Sequence, residues 1–189
     1  MPINGEPGVG YILEHGFDMP PLMLTSDELD AAVLGASWVA SRGEPGLAKA
    51  AANLLVKIEA LLPDALLPFI AEPATSIAPV PRPVERVDAS LLRQAIRSGY
   101  KVALRYRNDQ GAVSGRIVWP VLLGYRDSGR IMAAWCELRS AFRYFRTDRM
   151  IEATVLTDRI PERRAVLRAR WQNAMDAERE RYGREARSD

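Results

Sequence analysis

Five prolines, Pro68, Pro73, Pro79, Pro81 and Pro83, crowd one short stretch near the middle of the chain. Proline fixes φ and donates no backbone hydrogen bond, so this stretch can form neither a helix interior nor a central strand. With Thr75, Ser76 and several alanines between the prolines, residues 68–84 read as an extended linker.

The linker separates two unlike parts. Residues 1–84 hold four basic groups (Arg42, Lys49, Lys57 and Arg82) against ten acidic ones, while residues 85–189 hold 22 basic against 14 acidic. Lysine occurs only at 49, 57 and 101, so the basic half is an arginine half. The planar guanidinium fork suits bidentate contact with phosphate or carboxylate. A genomic preference for arginine over lysine accounts for the residue type. It does not account for the concentration of charge in one half.

Hydrophobic periodicity changes at the same divide. Thr25 and Glu28 stand at capping-box spacing, and Leu29, Ala32, Val33, Ala36, Val39 and Ala40 then follow a helical repeat that Gly43 ends. A second helix starts near Pro45, carries Ala50, Ala51, Leu54, Leu55, Ile58, Leu61 and Leu62 as its apolar stripe, and stops at Pro63. The short connection predicts an antiparallel hairpin over residues 25–67. Its apolar faces must pack on each other, on the rest of the chain or on a second copy. Ahead of it, Ile3 to Leu13 reads as a β-hairpin around Gly5-Glu6-Pro7-Gly8.

Beyond the linker, Asp88 caps a short helix through Leu91, Leu92, Ala95 and Ile96, closed by Gly99. The repeat then becomes two: Val102, Leu104 and Tyr106 alternate with Ala103, Arg105 and Arg107. Further strands are predicted at 113–124, 130–138, 142–147 and 151–156, with Trp119-Pro120 marking an edge or bulge. So many short strands with tight turns predict a small, strongly bent sheet or barrel over residues 85–160. A charged helix follows from Pro161 to about Tyr182, with Leu167, Trp171, Ala174, Met175 and Tyr182 on one stripe, and a tail to 189. The fold class expected is α+β.

Several functions are disfavoured. No apolar run is long enough for a transmembrane helix, and the first residues lack a signal-peptide pattern, so no membrane partner is expected. A single cysteine, Cys136, fits a reducing cytoplasm, and with one histidine, His15, it leaves too few ligands for structural zinc. Cys136 reads as a buried strand thiol and His15 as a turn residue. Gly8-Val9-Gly10 lacks the third glycine of a dinucleotide fingerprint, and no P-loop occurs. No acid, base, nucleophile and metal set can be assembled, so neither an enzyme nor a cofactor is expected.

The feature that asks for a function is basic. Residues 97–149 carry eleven basic groups against Asp109, Asp127, Glu137 and Asp148. The densest part holds Arg139, Arg143, Arg146 and Arg149, interleaved with Phe142, Tyr144 and Phe145. Guanidinium forks beside aromatic faces suit a nucleotide or single strand, with charge for phosphate and rings for bases. Against that, each arginine could be solvated or paired with a carboxylate on the helices.

The run from Ala134 through Trp135-Cys136-Glu137-Leu138-Arg139 to Phe142-Arg143-Tyr144-Phe145-Arg146-Thr147-Asp148-Arg149-Met150 resembles the end of the WYL domain of bacterial transcriptional regulators, in particular the YafY-like, DeoR-type branch. Gly5 to Tyr11 and Phe17 to Met23 resemble the wing of a winged helix-turn-helix and its connector, so residues 1–24 are expected to be its remnant. The naming Trp-Tyr-Leu triplet is replaced here by Arg130-Ile131-Met132 or neighbouring residues. The DNA-reading helices that precede the wing in that family are not in this sequence.

The resemblance implies a Sm-like or SH3-like antiparallel barrel that senses an anionic or nucleic-acid-derived effector and adjusts DNA binding by an attached head. It carries a ligand-binding role onto Arg139, Arg143, Arg146 and Arg149, and more weakly onto Arg116 and Tyr106. Duplex DNA is a partner only through a missing N-terminal domain, and a homodimer is expected. The competing expectations are a barrel that itself binds single-stranded nucleic acid, and a dimerising structural remnant.

Overall fold

The computed structural model describes residues 23–64, 67, 84–126 and 128–185, with side chains to 181. The predicted N-terminal β-hairpin, the wing-like segment with His15, and the five prolines lie outside these residues.

Two antiparallel helices come first, α1 (Ser26–Arg42) and α2 (Pro45–Leu61). Both halves of the Thr25/Glu28 capping box form: Glu28 N–H donates to Thr25 Oγ1, and Thr25 N–H donates to the Glu28 carboxylate at 2.8 Å. Leu29, Val33 and Ala36 are the buried face of α1. The turn between the helices is tight at Gly43. A Cβ there would lie 2.6 Å from the Val39 carbonyl oxygen and 3.1 Å from Ala48 N, so only glycine fits. Of the apolar stripe expected on α2 only Ala51 is fully buried; Leu54 and Leu61 stand open.

Helix α3 (Ala89–Ser98) starts where Asp88 accepts from Ser90 N–H at 2.9 Å and stops at Gly99, whose φ of 72° is left-handed. Five strands follow: β1 (Tyr100–Arg107), β2 (Val113–Arg126), β3 (Gly129–Cys136), β4 (Ala141–Arg146) and β5 (Met150–Arg159). All pairings are antiparallel, in the order β4-β3-β2-β1-β5. Single 3-10 turns, Glu137–Arg139 and Thr147–Arg149, connect β3 to β4 and β4 to β5. The second of these joins the two edge strands of the sheet. Three residues span roughly 10 Å at most, so the sheet must curl until those edges approach. The expected bulge is present, as a register shift between Pro120 and Leu122.

The ladder registers place Val102, Leu104, Tyr106, Val118, Met132, Ala134, Cys136 and Phe145 on one side, which is the core; α3 packs Leu92 and Ala95 into the same cluster. Cys136 is buried there, as the sequence predicts. The last helix, α4 (Arg164–Glu185), lies against the other side of the sheet. The architecture is α+β, with a helical pair, a curled antiparallel sheet and a C-terminal helix. Among the described residues no helix is long and apolar enough to cross a membrane.

Candidate functional site

Strand alternation decides where each expected site residue points. Ala134 pairs with Arg143 and Met132 with Phe145, so Arg143 shares the core side of β4. Because β4 is an edge strand and Arg143 is exposed, its guanidinium stands at the rim. Arg139 is exposed in the turn entering β4, and Arg149 is half-buried in the turn leaving it. None of the three side chains forms a salt bridge or hydrogen bond among the described residues, although the charge of Arg149 helps to lower the Asp148 carboxyl. Three cations therefore follow one open edge, spread over roughly 20 Å at about 3.3 Å per strand residue.

The other expected residues are employed differently. Arg146 forms a two-pronged contact with Asp148, Nε to Oδ1 and Nη2 to Oδ2, both at 3.0 Å. Each partner's charged form is favoured: the Arg146 hydrogen bonds hold the Asp148 carboxyl below its ordinary range, and Asp148 pushes Arg146 higher. Arg116 pairs with Leu104 across the ladder and donates to the Gly115 carbonyl at 3.3 Å. It shares a side of the sheet with Arg143 without being its neighbour, since Arg143 lies level with Pro120, four residues further along β2. Tyr106 sets its ring edge-on to Phe145 at 5.1 Å, and its hydroxyl accepts from the Arg146 backbone N–H at 3.3 Å. Tyr106 holds the corner and does not line the rim.

The rings interleaved with the arginines do not make a platform for them. Phe142 and Tyr144 project to the side opposite Arg143, where Arg170 of α4 stands over Phe142 and the Tyr144 hydroxyl, on a ring that stays exposed, donates to the Met175 sulfur of α4. There, Trp119 and Trp135 lie 6.1 Å apart and Trp135 meets Phe142 at 5.2 Å. Lys101 closes one end of the row, 5.6 Å from the Trp119 ring, and Arg170 of α4 the other, 4.8 Å from Trp135. Glu137 accepts from both Lys101 Nζ and Trp119 Nε1 at 2.7 Å, and these two hydrogen bonds hold its carboxyl below the usual range. The aromatic half of the expected arginine/aromatic groove is thus used to seat a helix.

Sequence reasoning misses a polar junction between the helical hairpin and the sheet. Glu44, fully buried, caps α2 by accepting from Leu47 N–H at 3.1 Å and pairs with Arg93 of α3, whose Nε lies at 3.0 Å. Arg130 of β3 pairs with Glu85 and donates to the carbonyls of Gly43 at 3.0 Å and Arg42 at 3.4 Å. Its guanidinium also stands over the Tyr125 ring, which meets Trp38 of α1 edge-on at 5.6 Å. Burial, with Glu44 nearby, pushes the Tyr125 hydroxyl above its ordinary value. An acidic residue just before Pro45 is a readable cap signal; the partnerships of Glu44 with Arg93 and of Glu85 with Thr147 span 49 and 62 residues and leave no local trace.

Among the described residues no three of His, Cys, Asp and Glu converge as a metal site. The chemistry on offer is charge: Arg139, Arg143 and Arg149, in and beside β4, form no salt bridge among the described residues, on a sheet where Arg105, Arg130 and Arg146 each form one.

No curated protein matches the chain. Among solved structures, proteasome accessory factor B/C (PafBC) of Arthrobacter aurescens is similar over 38% of this chain at 32% identity, with a TM-score of 0.37. The match covers 11% of that protein, so the chain spans only a small part of it. Residues 89–155, which comprise α3 and the sheet to the middle of β5, match the family model of the WYL domain.

Proposed function

We propose that residues 85–160 are the effector-sensing part of a WYL-type transcriptional regulator, and that the effector is an extended, nucleic-acid-derived polyanion lying along the β4 rim. One observation carries this reading. Arg139, Arg143 and Arg149 are gathered in and beside one edge strand and form no salt bridge among the described residues, although the Arg149 charge helps to lower the neighbouring Asp148 carboxyl. Uncompensated like charge costs stability, and an anionic ligand relieves that cost. Cations strung along an edge match a chain of phosphates better than a single compact anion. The WYL match supplies the regulatory context.

In this reading the helical hairpin connects the sensor to a DNA-reading head on its N-terminal side, in the manner of the YafY-like, DeoR-type branch. Arg116 and Tyr106 act as support, Tyr106 by fixing the corner that carries Arg146. The apolar side chains left open on α2, Leu54 and Leu61, favour pairing with a second copy.

The test is thermal unfolding with and without a short oligothymidylate, and with a mononucleotide at equal phosphate concentration. The oligonucleotide should raise the midpoint more than the mononucleotide, and an Arg139→Ala, Arg143→Ala double variant should lose most of that rise. No rise, or one undiminished in the variant, contradicts the proposal.

A further inference from the structure

The corner between β4 and β5 bears Arg149 and follows directly on Arg146, yet its first residue, Thr147, is fully buried and faces inward. The Thr147 hydroxyl lies 2.5 Å from Glu85 Oε1 and 3.1 Å from the Arg130 carbonyl oxygen. The other oxygen of Glu85 holds Arg130 Nη1, and Arg130 Nη2 donates to the carbonyls that end α1, those of Arg42 and Gly43. These contacts form a continuous chain from the rim of the sheet to the turn of the helical hairpin. Its carriers are well shielded, with side-chain exposures of 11% for Arg130 and 16% for Glu85.

We infer that Thr147, Glu85 and Arg130 are the link through which the β4–β5 corner sets the position of the α1–α2 turn. The inference rests on the functional reading for its purpose, since the corner carries candidate effector contacts and the hairpin leads toward the proposed head. Its physical content is independent of any ligand. The turn is a good receiver, because Gly43 allows it no slack and because Glu44, the next residue, is itself clamped by Arg93. Glu85 is a good relay, because each of its oxygens serves a different side of the junction. A shift of the corner that pulls Thr147 from Glu85 frees that carboxylate to reorient, and Arg130 loses the anchor that aims it at the turn. Within a packed polar network such a change is felt as a whole.

The experiment is amide hydrogen exchange on the full chain, without ligand, read at the Gly43, Leu47 and Ala48 amides of the turn and at the Leu167 amide of α4. Thr147→Val keeps the shape and removes the hydroxyl. It should speed exchange at the turn roughly tenfold, as loss of one buried hydrogen bond implies, and leave Leu167 as in the wild type. Thr147→Ser keeps the hydroxyl and should leave the turn protected, and Glu85→Gln should open it. An unchanged turn in Thr147→Val and Glu85→Gln overturns the link, as does equal opening in Thr147→Val and Thr147→Ser. Because no effector is added, failure of the oligothymidylate to bind would defeat the functional reading alone.

Discussion

The backbone N–H of Arg146 donates to the hydroxyl of Tyr106 at 3.3 Å, joining β4 to β1 across two intervening strands. This contact closes the curl of the sheet at the corner where the candidate rim begins. Tyr106→Phe keeps the ring against Phe145 and removes only the acceptor, so it should cost about 1 kcal/mol. Tyr106→Ala loses the ring as well and should cost roughly 3 kcal/mol. Urea unfolding of the two variants checks the order and the gap.

Glu44 is fully buried and Arg93 is its ionic partner. Arg93→Met leaves that carboxylate without a counter-charge and should destabilise the chain by roughly 3 kcal/mol. Adding Glu44→Gln to Arg93→Met should recover part of the loss, because the orphaned charge is gone while an oxygen can still cap α2. A double-mutant cycle measured by chemical denaturation gives the coupling directly.

Acid should loosen the outer face of the sheet. Glu137 is held below its ordinary carboxylate value by hydrogen bonds from Lys101 and Trp119, so its folded pKa lies below its unfolded one. The stability it contributes is complete above the unfolded value of about 4 and is lost as pH falls through the folded value. Asp148, lowered by Arg146, adds to the same acid limb. Glu137→Gln should flatten the pH dependence of unfolding below the ordinary carboxylate range, as followed by tryptophan fluorescence.

Arg170 ties α4 to the sheet by standing over Trp135 and Phe142. Arg170→Ala should weaken that seat by about 1 kcal/mol. Exchange of the α4 amides should rise while those of β1 stay as in the wild type.

Much of this fold was legible because its signals are local. Thr25 with Glu28, Asp88, and Gly99 in its left-handed conformation each act within a few residues, and each forms as the sequence predicts. The strands follow from alternation, and their predicted limits differ from the observed ones only at the ends. The third is predicted to 138 but stops at Cys136, where Glu137 to Arg139 turn as a 3-10 helix.

The site was less legible. Spacing shows arginines and rings interleaved, but the same period of two sends Phe142 and Tyr144 away from Arg143, so nearness in sequence became opposition in space. Which arginines are neutralised was hidden as well. Arg146 finds Asp148 two residues on, whereas Arg130 finds Glu85 only because the chain folds back over 45 residues.

Arg139, Arg143 and Arg149 of the β4 rim are the proposed effector contacts, and salt dependence of oligothymidylate binding measures them directly. Each phosphate neutralised on a single strand contributes about −0.7 to the slope of log K against log salt. The triple variant Arg139→Gln, Arg143→Gln, Arg149→Gln should therefore bind more weakly, with a slope shallower by roughly two than that of the wild type. Equal slopes and equal affinities in the two proteins would contradict the account.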